Sequence, residues 1–356
     1  MTKTFILIDI YNLFFRAMHT INSKEDINLQ EGMLLHTMFF MIKKACDKFN
    51  PSHLVVCSDG KGSWRKELYN GYKMNRIEKL QERTPSEIMR EERLKNVFEN
   101  DFLPFIKDKT NVSFLSCQKA EADDLIARFI SLHPNDMIII LSTDNDFIQL
   151  LNDNVLIFNS MEDRIITNKC MLSSINHTPI KFGLKDGKVS VSRTDCLFKK
   201  GENTNLVPME DWIEYALFTK CIRGDKSDNI FSAYPGIREK STKKTIGILD
   251  AFVDRKEKGY NWQTFMNSSW ETPFGEKKLV KECYEFNKKI IDLKEIPDEL
   301  KMNFDKAIME SIKVSPLSQV GFNLIKFLQK WKLEKLSENV QSFSSYFSRT
   351  YPSNGE

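Results

Sequence analysis

The sequence predicts an α/β fold with a mostly parallel central sheet flanked by helices, and three observations carry that prediction. Short apolar, β-rich runs at Phe5–Ile8, Leu54–Cys57, Val112–Leu115, Met137–Leu141 and Val155–Phe158 alternate with segments of helical period at Met33–Phe49 and Ala122–Ile130. The runs are continuously apolar rather than alternating, as strands covered on both faces must be. Four of these strands end on, or turn directly into, acidic residues.

The first run lies in MTKTFILIDIYNLFFRAMHT, where Asp9 breaks the apolar stretch and no small-residue cleavage site follows. It reads as a buried strand rather than a signal peptide. After Asp59 comes a basic segment at 61–79, and a charge-balanced stretch follows at 80–95 before the sheet resumes. Residues 1–160 are therefore expected to form one α/β unit. Residues 161–208 turn rich in Asn, Thr, Ser, Gly and Lys, with alternating pieces such as Lys188–Arg193, and read as a β-hairpin-like insertion. Helical patterning fills 209–340, and 341–356 reads as a flexible tail.

Composition narrows the class. Of 356 residues, 41% are hydrophobic and 28% charged, which allows a sizeable core and excludes wholesale disorder. No stretch approaches the ~18 consecutive apolar residues of a membrane span, so no membrane association is expected. Seven cysteines include no Cys-x-x-Cys pair, and the five histidines are scattered. Neither a zinc site nor a disulfide framework is indicated, and reducing cytoplasm is the expected compartment. The net charge of +3 says little by itself; the distribution of charge says more.

The carboxylates carry the chemistry. FILID ends in Asp9, LVVCSD in Asp59, and MIIILSTDND in Asp144 and Asp146, while VSFL runs on into AEADDLIARF with Glu121, Asp123 and Asp124. Ligands of open α/β sheets bind outside the carboxyl ends of the strands. CIRGDKSDNI adds Asp225 and Asp228, which Gly224 and the i,i+3 spacing place on one side of a helix start. Taken singly, an Asp after a strand is an ordinary turn or N-cap residue, and acids in a helix's first turn meet the positive end of its dipole. The same coincidence at four strand ends is not ordinary. Two like charges at ~4 Å repel by about 4 kcal/mol at an effective dielectric near 20, so such a rim needs cations or protons. Oxygen ligands without His or Cys select Mg²⁺ or Mn²⁺, and paired ions suit phosphoryl displacement.

Residues 61–79 hold Lys61, Arg65, Lys66, Lys73, Arg76 and Lys79 with Trp64, Tyr69 and Tyr72 interleaved. Cations meet phosphates and aromatic faces stack bases, the combination used for single-stranded nucleic acid. The plainer reading is a solvated helical face, which fits the balanced charges of 80–95 better than 61–79. GLKDGKVS at 183–190 is one residue short of a phosphate-binding loop and has Val189 where Ser or Thr is required.

ILIDIYNLFFRA, CSDGKGSWRKELYNGYKMNR, EADDLIARF, LSTDNDFIQLL and IRGDKSDNI follow one another in an order and spacing that resemble the 5′-nucleases, a family of flap endonucleases and 5′→3′ exonucleases. KEIPDEL and the helical C-terminal part are most similar to the branch typified by the RNase H of T-even-type phages. The resemblance implies a two-metal phosphodiester hydrolase giving 5′-phosphate products. It places Asp59, Glu121, Asp123 and Asp144 at a first Mg²⁺ site with Asp9 acting through water. Asp146, Asp225 and Asp228 would then hold a second Mg²⁺, with Mn²⁺ able to substitute. Asp124 occupies a family acid position. By the same resemblance, 61–100 forms a helical arch, Lys73 and Arg76 touch the scissile phosphate, and a hairpin at 233–245 grips duplex DNA through Lys240, Lys243 and Lys244. Arg238 stands where a second glycine is usual in that hairpin, which argues against close backbone approach and potassium binding there. VQSFSSYF resembles sliding-clamp-binding peptides through Phe343, Tyr346 and Phe347.

The expected substrate is DNA or RNA–DNA hybrid with a 5′ end or flap, acted on by a monomer, with the sliding clamp and single-stranded-DNA-binding protein as further partners. A haloacid-dehalogenase-type phosphatase would need a second Asp where Tyr11 stands. A catalytically silent nucleic-acid-binding scaffold would have lost metal acids, and every one is present.

Overall fold

The structure is a computed structural model that describes residues 2–168, 171–173, 179–185, 188–192, 211–312, 316–338 and 340–352. Strands β1 (Thr4–Asp9), β2 (His53–Cys57), β3 (Ser113–Leu115), β4 (Met137–Leu141) and β5 (Val155–Asn159) run parallel in the order β3-β2-β1-β4-β5. β1 is central: Ile6 lies opposite Leu54 on one side and Ile139 on the other. The sheet continues through β6 (Arg164–Ile166), β7 (Met171–Ser173), β8 (Pro179–Lys185) and β9 (Lys188–Ser192), all antiparallel. The described part of the expected hairpin-like insertion thus extends the main sheet; residues 169–170, 174–178, 186–187 and 193–208 lie outside the described residues.

Because successive side chains on a strand face opposite ways, β1 feeds two cores. Phe5 and Leu7 pack towards α7 (Ala122–Leu132), α8 (Trp212–Arg223) and α12 (Asp298–Glu310). Ile6 and Ile8 pack towards α1 (Ile10–Thr20), α2 (Ile27–Phe49), α5 (Pro85–Val97) and α13 (Val320–Lys330). Between β2 and β3 the chain also forms α3 (Trp64–Leu68), α4 (Asn75–Gln81) and α6 (Leu103–Lys109). α4 buries none of its residues, and α5 starts from a capping box between Thr84 and Glu87.

Three expectations need correction. The region 209–340 is not uniformly helical, because Ser269–Glu271 and Lys277–Leu279 pair as an antiparallel hairpin turning at Gly275, whose φ of 80° suits glycine. Asp225 and Asp228 do not start a helix. α8 ends at Gly224, with φ 73°, and a Cβ there would stand 2.3 Å from the Ile230 carbonyl, so the chain leaves in a tight loop. Lastly, 341–352 is not a flexible tail. Phe343 and Phe347, four apart on the helix Val340–Ser348, share one buried face and pack edge-on against Phe39 of α2 at 5.7 and 6.1 Å. Burial of each such ring contributes roughly 1.5–3 kcal/mol. Beyond them, His53 Nδ1 bonds the Arg349 carbonyl at 3.1 Å and Lys3 Nζ donates to the Pro352 carbonyl at 3.0 Å, holding the chain across the base of the sheet. None of the described helices is long and apolar enough to cross a membrane.

Candidate metal centre and nucleic-acid interface

Five parallel strands point their carboxyl ends the same way, so acids placed there share one rim. Asp9 closes β1 and is also the N-cap of α1, accepting from Asn12 N at 3.2 Å and from Ser142 Oγ at 3.1 Å. The commonplace cap role and the rim position coincide in one residue. Asp59, two residues past β2, accepts from Ala122 N at 2.8 Å, which ties it to the start of α7. Asp144 follows β4 and accepts from Asp146 N at 2.9 Å, turning both side chains onto the rim.

Crowding shows in proton affinity. Burial, then the charges of Asp59 and Asp144, push Asp9 up to about 7. Burial, then Asp9 and Asp144, push Asp123 well above the ordinary carboxylate range, and no hydrogen bond or ion pair meets its carboxylate among the described residues. Burial raises Asp146 to about 6 although Lys220 pulls the other way. Asp59 is raised too, by burial and then by Glu121.

The remaining acids are matched by side-chain cations. Lys73 Nζ donates to Glu121 Oε1 at 2.7 Å, and Arg76 Nη2 to Asp228 Oδ1 at 2.8 Å. Lys220 bridges Asp146 and Asp225, lying 2.8 Å from Asp225 Oδ2. Burial works against ionised Glu121, but Lys73 and Arg65 outweigh it and hold its pKa below the usual value. For Asp225, Lys220 likewise overcomes burial and brings the pKa to about 2. Among the described residues no three acids stand together as a ready-made ion site, because cations are threaded between them. The cations that the crowded rim was expected to need are in part the chain's own lysines and arginines. Asp9, Asp123 and Asp144 are the rim acids that take no ion pair among the described residues, and their carboxylate oxygens are of the kind that suits a hard ion.

A pH prediction follows from the signs. An acid whose pKa is higher folded than unfolded favours folding at low pH, and loses that contribution as pH rises to the folded value. Asp9 and Asp146 do so between about 4 and 7 in metal-free protein. A divalent ion must displace these protons. The rise in Tm caused by added Mg²⁺ is expected to be small at pH 5 and to level off above pH 7, as read by a thermal shift series. A larger rise at pH 5 than at pH 8 contradicts it.

Several residues read from the sequence as ligands or nucleic-acid contacts have other roles. Asp124 is wholly buried, and its carboxylate is taken up by Arg65 at 2.8 and 3.0 Å, by Trp64 Nε1 at 3.2 Å and by Glu121 N at 3.0 Å. It fixes its neighbours rather than facing the rim. Trp64, Arg65 and Tyr72 are buried, so they offer no free face or charge to nucleic acid. Tyr72 bridges Glu121 at 2.9 Å and Asp228 at 3.1 Å through its hydroxyl. Phe343 and Phe347 are core residues, and Tyr346 lies half-buried under Arg349, so the clamp-peptide reading fails on burial. Lys61, Lys240, Lys243 and Lys244 are exposed, and Tyr69 is half-buried. Just past 233–245, Gly247 lets the chain pass close to Lys240, and a Cβ at Gly247 would fall 2.3 Å from the Lys240 carbonyl carbon.

Sequence reasoning missed Asn12, Arg16 and Lys220. Asn12 Oδ1 accepts from both Thr143 N and Thr143 Oγ1 at 3.1 and 3.0 Å, and Arg16 Nε donates to Thr143 Oγ1 at 2.6 Å, so α1 holds the Asp144 loop. The NLFFR run after Asp9 carried a signal, since a polar residue and a cation follow the acid on one helix. Lys220 gave none, being an unremarkable lysine until α8 docks. A cleft of about 880 Å³ runs beside the second acid group, lined by Arg16, Asp144, Asp146, Lys220, Asp225 and Gly236 among others.

Residues 4–176 match the family described as 5′-3′ exonuclease, N-terminal resolvase-like domain. The chain is 25% identical over 301 residues to a 5′-3′ exonuclease of Aquifex aeolicus, covering 82% of this chain and 83% of that one. It is 28% identical over 215 residues to the flap endonuclease Xni of Shewanella woodyi, covering 58% and 71%. In fold it is similar to the D15 protein of phage T5, crystallised with metal ions, with a TM-score of 0.53 at 20% identity over 87% of this chain and all of that one.

Proposed function

The chain belongs to the 5′-3′ exonuclease and flap endonuclease family and is a nuclease, and from that premise we propose that it is a divalent-ion-dependent, structure-specific enzyme removing RNA primers or 5′ flaps from DNA during replication. One observation supports the reading above the others: Asp9 and Asp123 crowd against Asp144 on the rim, and burial with this mutual repulsion raises the proton affinity of Asp9 and Asp123, while Lys73 and Arg76 stand beside them on the next acids.

Asp9, Asp59, Glu121, Asp123 and Asp144 would hold one Mg²⁺ or Mn²⁺, and Asp146, Asp225 and Asp228 a second. Bound there, such ions supply Lewis-acid polarisation of a phosphodiester and a nucleophilic water at neutral pH. The chain's own groups do the rest. Lys73 and Arg76 are cations on short tethers to the rim, placed to stabilise charge developing on a phosphate. Tyr72, raised well above the usual phenol range by burial and by Glu121 and Asp228, stays protonated and keeps the two acid groups in register. Exposed Lys240, Lys243 and Lys244 supply salt-sensitive contacts to duplex phosphates.

Incubating a 5′-flapped duplex, with DNA or RNA at the 5′ end, in Mg²⁺ and in EDTA tests this. Cleavage in Mg²⁺ or Mn²⁺ to 5′-phosphate products, and none in EDTA, is expected. Undiminished cleavage in EDTA overturns the mechanism.

A further inference from the structure

Two segments far apart in sequence, Tyr69–Arg76, which runs into the first turn of α4, and the loop Asp225–Asn229, are joined by a dense set of hydrogen bonds. Lys73 N donates to the Asp228 carbonyl at 2.9 Å, and Asn75 Nδ2 to the Lys226 carbonyl at 2.6 Å. Asn229 works in both directions. Its Nδ2 donates to the Gly71 carbonyl at 2.8 Å, and its own carbonyl accepts from Tyr69 Oη at 3.1 Å.

The backbone is bent on both sides of this junction to make it. Lys73 and Asn229 have φ of 59° and 60°, in the left-handed region that residues with a Cβ rarely enter. Such conformations persist only where the surroundings fix them. Gly71 is required as well, since a Cβ there would stand 2.5 Å from the Tyr69 ring, which folds over it so that the hydroxyl reaches Asn229.

What the junction delivers is the charge pattern of the rim. The first segment carries Lys73 to Glu121 and Arg76 to Asp228; the second carries Asp225 and Asp228 themselves. We propose that Asn229 is a positioning residue that makes these segments one mechanical unit, so that order in the Asp225–Asp228 acids and order in the Lys73–Arg76 cations rise and fall together. The functional meaning rests on the nuclease reading above, but the physical coupling does not. Coupling of this kind is reciprocal: whatever orders one segment must order the other.

Hydrogen exchange of the full-length protein with and without Mg²⁺ reads this directly. In the unaltered protein Mg²⁺ is expected to slow exchange in peptides covering both 225–231 and 69–81. Asn229→Gly keeps the left-handed backbone and removes only the side-chain link. Mg²⁺ should still protect 225–231 in that variant, while protection of 69–81 drops by roughly fivefold, as expected for one lost hydrogen bond. Tyr69→Phe, which removes only the hydroxyl, should move the same peptides in the same direction. The proposal is overturned if Mg²⁺ leaves 69–81 unprotected in the unaltered protein, or if both variants match it. Absence of flap cleavage alongside intact exchange coupling would sink the nuclease reading and leave this one standing.

Discussion

Asp123→Asn is expected to abolish cleavage and, in metal-free buffer, to raise the melting temperature. The two effects have one cause. Asp123 is pressed upon by Asp9 and Asp144, with burial the largest influence, and Lys73 relieves it only in part. An amide of the same shape removes that repulsion, and each kcal/mol recovered adds roughly 2 °C to Tm in a chain of this size. The amide also withdraws a charged oxygen from the group best suited to a divalent ion. Loss of turnover should therefore exceed the roughly 100-fold that losing a mere outer partner costs, with flap binding retained in a gel-shift assay. A variant that loses activity and stability together would mean that Asp123 is a structural acid.

Arg65→Ala carries the largest expected loss of stability. Its guanidinium is buried, forks onto Asp124, reaches Glu121 at 3.3 Å and donates through Nε to the Ile290 carbonyl at 2.8 Å. Removing it leaves buried Asp124 uncompensated, a change that costs about 3–5 kcal/mol when one partner of a buried pair is deleted. Arg65→Lys should recover little, because an ammonium cannot supply the paired donors of the fork. Chemical denaturation measures the loss, and the salt dependence of DNA binding in whatever fraction folds should be unchanged. Normal stability with a reduced salt dependence would return Arg65 to the nucleic-acid surface.

The contrast between Asp9 and Arg65 shows how far sequence reading reaches. Strands β1, β2, β4 and β5 were legible because burial on both faces writes itself as an unbroken apolar run, and the rim acids because each follows such a run. That signal is local. Whether Arg65 faces solvent depends on Asp124 and Ile290, distant in sequence, and nothing in WRKEL distinguishes a buried guanidinium from an exposed one. Trp64 and Tyr72 were misread for the same reason. Phe343 and Phe347 showed their i,i+4 spacing plainly, but an apolar helix face has the same pattern whether it meets a partner or its own α2. Lys220 became meaningful only when α8 set it between Asp146, which follows β4, and Asp225 at the end of α8 itself.

The threading of lysines and arginines among the acids has a consequence at longer range. Bare carboxylates in such number would project a negative field against which any polyanion must travel. With Lys73, Arg76, Arg65 and Lys220 interspersed, much of that field is offset within a few ångströms. Beyond the ~8 Å over which physiological salt lets a charge be felt, what remains of the field is screened. On the proposed function, a nucleic acid approaching this cleft would then meet the exposed lysines at Lys240–Lys244 and Lys61 without strong repulsion from the acids.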